Sequence, residues 1–205
     1  MFAYGGTMFA YIKGTIEEKW NTHIVIEAGG IGYKIFMPSS AIQKLPEIGE
    51  TIKINTYYYV REDNISLYGF ITKEELKMFE LLLSVSGIGA KSALTMLSEI
   101  TPSRFALAVV SNDVSNLTKI PGIGTKTAAR IVLELKDKLK TEQAIQKNEK
   151  AEEIIVRGDN QTEAISALQV LGYAKKEIEK AFEKIDTNNL SVEDIIRKAL
   201  IVLAK

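Results

Sequence analysis

Val85-Ser86-Gly87-Ile88-Gly89-Ala90-Lys91-Ser92-Ala93 and Ile120-Pro121-Gly122-Ile123-Gly124-Thr125-Lys126-Thr127-Ala128 are two copies of one pattern, apolar-x-Gly-Ile-Gly-x-Lys-x-Ala, offset by 35 residues. The pattern predicts a tight turn that opens a helix. Glycine adopts positive φ without steric cost, so such a turn can be sharp and its backbone can approach a partner closely. The helix that follows presents free N–H groups and the positive end of its dipole, a setting suited to an anion. The lysine two residues past the second glycine adds a full charge beside those donors. The isoleucine between the glycines is expected to anchor the turn in a core.

One copy alone reads equally well as a plain interhelical turn, since short glycine motifs arise by chance. Two copies, both with Lys and both leading into an Ala-containing helical stretch, point instead to paired helix-hairpin-helix grips on phosphates. Such grips need touch no base edge. Two other phosphate motifs are excluded. Gly89-Ala90-Lys91-Ser92 and Gly124-Thr125-Lys126-Thr127 resemble a P-loop ending, but a residue intervenes between Gly and Lys. The upstream glycine that a P-loop needs is Ser84 in one copy and Lys119 in the other. Gly29-Gly30-Ile31-Gly32 does not continue to a third correctly spaced glycine. The chain is therefore expected to hydrolyse no nucleotide.

The 205 residues are 46% hydrophobic and 25% charged, the balance of a globular chain. No apolar run approaches the ~18 residues that span a bilayer, and no signal peptide is evident, so the expectation is a cytoplasmic protein without a membrane segment. The absence of Cys excludes disulfides and thiolate metal sites. The single histidine, His23, leaves no His pair for a metal and is read as a strand surface residue. Net charge is zero, but it is unevenly spread. Residues 72–140 carry ten basic and seven acidic side chains, whereas residues 141–205 carry ten and twelve. The positive excess falls on the segment with both hairpins. It is modest for a nucleic-acid surface, and oligomerisation would strengthen the field.

Residues 8–70 read as β structure: Phe9–Ile16, His23–Glu27, Tyr33–Met37, Thr51–Val60 and Ser66–Phe70 are rich in β-branched and aromatic residues. A short helical turn, Ser39–Leu45, follows the third strand, which is the order of a five-stranded OB-type barrel. Tyr57-Tyr58-Tyr59 is either a stacking platform for bases or, as strand aromatics usually are, a cover for the barrel. Residues 71–140 switch to helical period. Thr72-Lys73-Glu74-Glu75 is a capping box, Thr101-Pro102 starts another helix, and a helix over Ala128–Lys140 follows the second hairpin. Residues 141–160 are polar and weakly patterned, and read as a linker. Residues 161–205 read as three short helices, the last with Ser191 as N-cap and a stripe of Ile195, Ile196, Ala199, Leu200 and Leu203. So small a bundle is not expected to bury the whole stripe, and the leftover surface reads as a docking module. The fold class is multidomain α+β: barrel, tandem helix-hairpin-helix domain and small bundle.

The three segments in this order resemble the RuvA family of bacterial Holliday-junction branch-migration proteins, over nearly the whole chain from Met8 onward. The residues that carry the resemblance are the two Gly-Ile-Gly hairpins, Val60-Arg61-Glu62-Asp63 with Leu67-Tyr68-Gly69-Phe70 after it, and Ala167-Leu168-x-x-Leu171-Gly172-Tyr173. The resemblance implies an oligomerising OB-type domain, a double helix-hairpin-helix domain gripping duplex arms, and a mobile UBA-like three-helix domain that contacts a RuvB-type AAA+ ATPase motor. Position by position, it places the DNA grip on Gly87, Gly89 and Lys91 and on Gly122, Gly124 and Lys126, with Lys119 and Arg130 flanking the second copy. It places an acidic pin on Glu62 and Asp63, and motor contacts on Leu168, Leu171, Tyr173, Ile196 and Leu200. It implies a homotetramer or an octamer bound to four-way junction DNA, a junction resolvase as a further partner, no catalytic residue, and no cofactor or metal of the chain's own. ATP and Mg²⁺ belong to the motor.

Two carboxylates at a hairpin tip are on their own an ordinary solvated turn. At the centre of a four-fold assembly they would repel phosphates and push separating strands toward basic grooves. Ala90 and Thr125 stand where the family pattern carries Pro and Lys, which removes one phosphate contact and shifts weight to Lys126 and Lys119. Residues 1–7 have no place in the pattern, and Met1-Phe2-Ala3-Tyr4 repeats Met8-Phe9-Ala10-Tyr11. They are read as an extension rather than a functional segment. The alternative to a binding subunit is a repair glycosylase or nuclease that docks through the hairpins and uses Glu62 and Asp63 as general-base or metal carboxylates. Against it, the stretch after the second hairpin offers only Glu134 and Asp137. A third reading is a scaffold whose hairpins bind protein.

Overall fold

Alternation of Ile12, Ile16, Ile24, Ile26, Ile35 and Ile54 with polar residues closes the first segment into a barrel, because these isoleucines all face one interior and are buried there. In the computed structural model the strands are β1 (Tyr11–Lys19), β2 (His23–Ala28), β3 (Ile31–Phe36), β4 (Thr51–Val60) and β5 (Ile65–Phe70). They pair in the order β1-β2-β3-β5-β4, and β4 returns to β1. All pairs are antiparallel except β3 with β5, where Ile35 faces Leu67 and Phe36 faces Tyr68. Helix α1 (Ser39–Ile42) follows the third strand. This is the expected OB-type topology. The register of β1 shifts between Ile16 and Glu18, a bulge that turns the strand from β4 toward β2. The structure describes residues 8–62, 64–149, 160–187 and 190–204, the side chains of 139–149 excepted. The repeated Met1–Tyr4 stretch, Asp63 and Ile154-Ile155-Val156 lie outside the described residues.

Helix α2 (Lys73–Leu83) begins at the expected capping box. Thr72 Oγ1 accepts from the Glu75 N–H at 3.1 Å, and Glu75 Oε2 accepts from the Thr72 N–H at 3.2 Å. Phe79 on this helix packs against Phe70 with ring centroids 4.9 Å apart and against Tyr57 at 5.5 Å. Tyr59 meets Tyr68 edge to face at 5.7 Å. The tyrosines of β4 thus cover the barrel and join it to the helices. α3 (Ala90–Glu99), α4 (Pro102–Val110), the single-turn α5 (Val114–Leu117) and α6 (Thr125–Glu149) complete the second segment. α4 starts with Thr101 as N-cap and Pro102 in the first turn, as its sequence predicts. α6 runs nine residues into the stretch read as a linker. Glu142, Gln143, Gln146 and Lys147 are straight-chain helix formers that sustain a helix without an apolar face, which a reading based on periodicity misses.

The last segment forms α7 (Asn160–Val170), α8 (Lys175–Phe182) and α9 (Val192–Leu203), with Ser191 capping α9. It is docked on the helical domain: α9 packs on α4 and α7 on α6. The apolar stripe of α9 is therefore covered from within the chain. Ile195, Ile196, Ala199 and Leu200 are buried in a core continuous with that of the helical domain and Leu203 is half-buried, so most of the surface expected to be left over is covered, with Ile201 still exposed. Among the described residues no single helix is long and apolar enough to cross a membrane. α3 and α4 reach that composition only together, and they meet at 100°.

Candidate nucleic-acid interface

The two glycine motifs fold into the same object. Val85-Ser86-Gly87-Ile88 closes with the Ile88 N–H donating to the Val85 carbonyl at 3.1 Å. Ile120-Pro121-Gly122-Ile123 closes with Ile123 N–H to Ile120 carbonyl at 3.0 Å. The third residue has φ of 84° in Gly87 and 81° in Gly122. A positive φ at this position is the mark of a type II turn, and it is why glycine stands there. The flanking apolar residues hold each turn in place: Val85, Ile88, Ile120 and Ile123 are all buried. The anchoring expected of the two isoleucines is what the structure shows.

The second glycine of each copy has a different task. Gly89 is the N-cap of α3 with φ of −96°, an ordinary extended value. It supplies no side-chain cap, so the first-turn amides of α3 carry no side-chain acceptor from the cap. A Cβ built on Gly89 or Gly124 would meet nothing within 4 Å. The bare backbone there serves neither packing nor a special φ, and it leaves room for a close approach from outside. Lys91 and Lys126 project from the first turns of α3 and α6, exposed, and their side chains make no ion pair or hydrogen bond among the described residues.

Arg130 and Lys119 are placed differently from each other. Arg130 belongs to α6, but its Nη1 donates to the Ser86 carbonyl of the first hairpin at 3.3 Å and lies beside Gly87. It links the two copies rather than flanking the second alone. Lys119 donates to Asn116 Oδ1 at 2.8 Å and lines a groove of about 600 Å³ with Arg104 and Arg197, between the helical domain and the bundle. Asn116 is in turn held by Asp113, the N-cap of α5. Hydrogen bonds from Ser115 and from the Asn116 backbone hold the Asp113 carboxyl below the usual carboxylate range.

Sequence reasoning missed the remaining ties of the first hairpin. Glu134 Oε2 accepts from the Ser86 N–H at 3.1 Å, and Lys138 Nζ donates to the Ser84 carbonyl at 3.1 Å. With Arg130 these residues stand at i, i+4 and i+8 of α6, one face of a helix. That spacing is legible in the sequence. Its target is not.

The acidic tip is a tight hairpin at the end of β4 and β5. Val60 pairs with Ile65, and Arg61 and Asn64 exchange backbone hydrogen bonds of 2.8 and 3.4 Å. Glu62 is exposed at the tip and has no ion pair or hydrogen bond among the described residues. Arg61 is turned away onto Tyr59, donating from Nε to its hydroxyl at 2.8 Å. Asp63 lies outside the described residues. His23, half-buried rather than a free surface residue, stacks on Trp20 at 5.9 Å, and burial with nearby Lys34 holds its imidazole below the ordinary range. Among the described residues no group of three or more His, Asp or Glu stands close enough to hold a metal ion.

Leu168, Leu171, Tyr173, Ile196 and Leu200 are all buried, within the bundle or against the helical domain. The Tyr173 hydroxyl donates to Ser103 Oγ on α4 at 2.8 Å. Gly172 has φ of 103°, and a Cβ there would come within 2.9 Å of Lys77 on α2. Lys136 of α6 and Glu193 of α9 form a surface ion pair at 3.7 Å, a minor contribution beside the apolar contact.

Three family models match the chain in order: the RuvA N-terminal domain over residues 8–69, a SAM-like helix-hairpin-helix tandem over residues 79–137, and the RuvA C-terminal domain over residues 159–204. Proteins described as Holliday junction branch migration complex subunit RuvA are similar over almost their whole length. That of Acetivibrio thermocellus is 50% identical, the match covering 97% of this chain and all of the relative. That of Ruminiclostridium cellulolyticum is 54% identical, covering 94% of this chain and 98% of the relative. That of Clostridium perfringens is 44% identical, covering 97% of this chain and all of the relative. The matches to these relatives run through the barrel, both hairpins and the terminal bundle of this chain, and the chain belongs to the RuvA family.

Proposed function

We propose that the protein is the non-catalytic DNA-binding subunit of a branch-migration complex, recognising four-way junctions through backbone phosphates during recombination and repair. The observation that carries this reading is the duplicated grip: two type II turns of the same conformation, each opening a helix beside an exposed lysine free of any partner among the described residues. Each turn offers backbone N–H donors and a cation to one phosphate. Neither presents a side chain shaped to read a base edge, so binding is indifferent to sequence and falls steeply with salt.

Junction selectivity then comes from assembly. A homotetramer, or an octamer of two, arranges four pairs of grips around the Glu62–Asp63 tips. The carboxylates repel phosphates from the centre and send the separating strands outward. The Glu62 side chain, exposed and without an ion pair among the described residues, suits that task. Work is supplied by a RuvB-type AAA+ ATPase that carries the ATP and Mg²⁺, and a junction resolvase acts on the same substrate. The protein functions in the cytoplasm. Because Leu168, Leu171, Tyr173, Ile196 and Leu200 are buried in the docked bundle, a motor that uses them engages a released bundle.

The test is a gel shift of a four-way junction against linear duplex of the same sequence, in moderate salt with competitor. Strong junction preference in bands of tetramer size or larger is expected. Equal affinity for both DNAs would leave only a general grip, and cleavage of a labelled junction with Mg²⁺ would favour a nuclease.

A further inference from the structure

We infer that Glu134 is a positioning residue for the first hairpin: its carboxylate sets from outside the turn conformation that Pro121 sets from within in the second. The inference rests on the reading of the hairpins as phosphate grips. The two copies share Gly-Ile-Gly, Lys and Ala but differ within the turn itself. At the second position of the turn the second copy has Pro121 and the first has Ser86. Proline there fixes φ near the value a type II turn requires, so the Ile120–Ile123 turn is preorganised by its own covalent structure. Ser86 brings no such restriction, and it is exposed, so packing does not hold it either.

What holds Ser86 is α6. Glu134 Oε2 takes its N–H at 3.1 Å and Arg130 Nη1 reaches its carbonyl at 3.3 Å, so both polar groups of the residue are engaged from a helix about forty-five residues away. The tie has no counterpart in the second copy. Stepping back 35 residues from Glu134 arrives at Glu99 of α3, and Pro121 has no N–H to offer it. The two turns still reach φ values of 84° and 81° at their glycines. One conformation is thus reached by two devices.

The charge of Glu134 argues the same way. A carboxylate next to a phosphate grip opposes binding by Coulomb repulsion, so it is tolerable only if it contributes something else. Arg130 and Lys138, one turn to either side of it on α6, are engaged with the Ser86 and Ser84 carbonyls, and its own Oε2 is committed to the Ser86 amide. What Glu134 supplies is an acceptor in the right place. The negative charge is incidental.

The experiment compares Glu134→Ala, Glu134→Gln and the double variant Ser86→Pro with Glu134→Ala in the full-length protein. Binding of a labelled four-way junction and of linear duplex is followed by anisotropy at fixed salt. Glu134→Ala is expected to weaken both by about tenfold, the scale of losing one ordinary hydrogen bond. Glu134→Gln keeps an acceptor oxygen and is expected to bind at least as well as the wild type. Ser86→Pro in the Ala background is expected to restore binding, because it copies the device of the second turn. Wild-type binding by Glu134→Ala overturns the inference, as does a Gln variant as weak as Ala or a proline that rescues nothing. Amide exchange at Ser86 and the Gly87 chemical shift, read without DNA, keep the test independent of the phosphate reading. If the wild type binds no DNA, that reading fails. An exchange rate and shift unchanged in Glu134→Ala would still overturn the inference, and changes at both would support it.

Discussion

The Tyr173 hydroxyl lies 2.8 Å from Ser103 Oγ, across 70 residues of chain, and both side chains are buried. This contact joins the terminal bundle to α4, where the helical domain would otherwise face water. It is the one buried side-chain hydrogen bond between the two units among those the structure describes, surrounded by apolar contacts of α9 with α4.

Docking is expected to fail at alkaline pH through this residue. Burial pushes the Tyr173 phenol up to about 12, with the Ser103 bond pulling the other way. A folded-state value above the unfolded one means that the neutral phenol is favoured in the docked form. Its contribution is therefore complete below about pH 10, the ordinary tyrosine value, and is lost as pH rises toward 12. Tyrosinate absorbance and limited proteolysis of the bundle should change together over that window. Tyr173→Phe should destabilise docking by about 1–2 kcal/mol at neutral pH, since it strands a buried hydroxyl, and should remove this residue's part of the alkaline transition.

Leu168→Ala distinguishes a packing residue from a surface contact. Leu168 is fully buried, and truncating a leucine in such a site destabilises by about 2–5 kcal/mol. Denaturant unfolding should show that loss in the bundle without any partner present. Unchanged stability would mean the bundle spends much of its time open at this position.

The two glycines of each hairpin should respond oppositely to alanine. Gly87→Ala and Gly122→Ala force a Cβ into positive φ and are expected to cost about 1–2 kcal/mol, seen as a fall of several degrees in Tm. Gly89→Ala and Gly124→Ala meet open space and should change Tm little while weakening DNA binding. A loss of stability without loss of binding in the second pair would contradict the close-approach reading.

Lys126→Ala should weaken binding to all DNA sequences alike and lower the slope of log K against log salt by about 1. A sequence-dependent loss would contradict a backbone grip.

Glu62→Gln combined with Asp63→Asn should bind junctions at least as tightly as the wild type but alter branch migration by the complex. Weaker binding would sink the repulsion argument, because removing two negative charges from a tip that faces DNA, as proposed, can only lessen a Coulomb penalty.

Much of this protein was determined by local sequence. The five strands, the Thr72 and Ser191 caps, the Pro102 start and both Gly-Ile-Gly turns were legible because each depends on a few neighbouring residues: on alternation, a side-chain oxygen three residues from an amide, or a glycine where φ is positive. The family resemblance was legible for the same reason, being carried by short motifs in a fixed order. The tertiary structure decided what local rules leave open. Arg130 reads as a neighbour of the second hairpin, yet it reaches the first, because the direction of a long side chain on a helix is set by what the helix packs against. The stripe of α9 reads as surface for a partner, yet it is covered by α4, because an apolar face records that it needs a cover and not which cover it takes. The match of Ser86 with Glu134 and of Tyr173 with Ser103 spans 48 and 70 residues. Polar pairs so far apart leave no period or spacing in the chain, and only folding brings them within a hydrogen bond of each other.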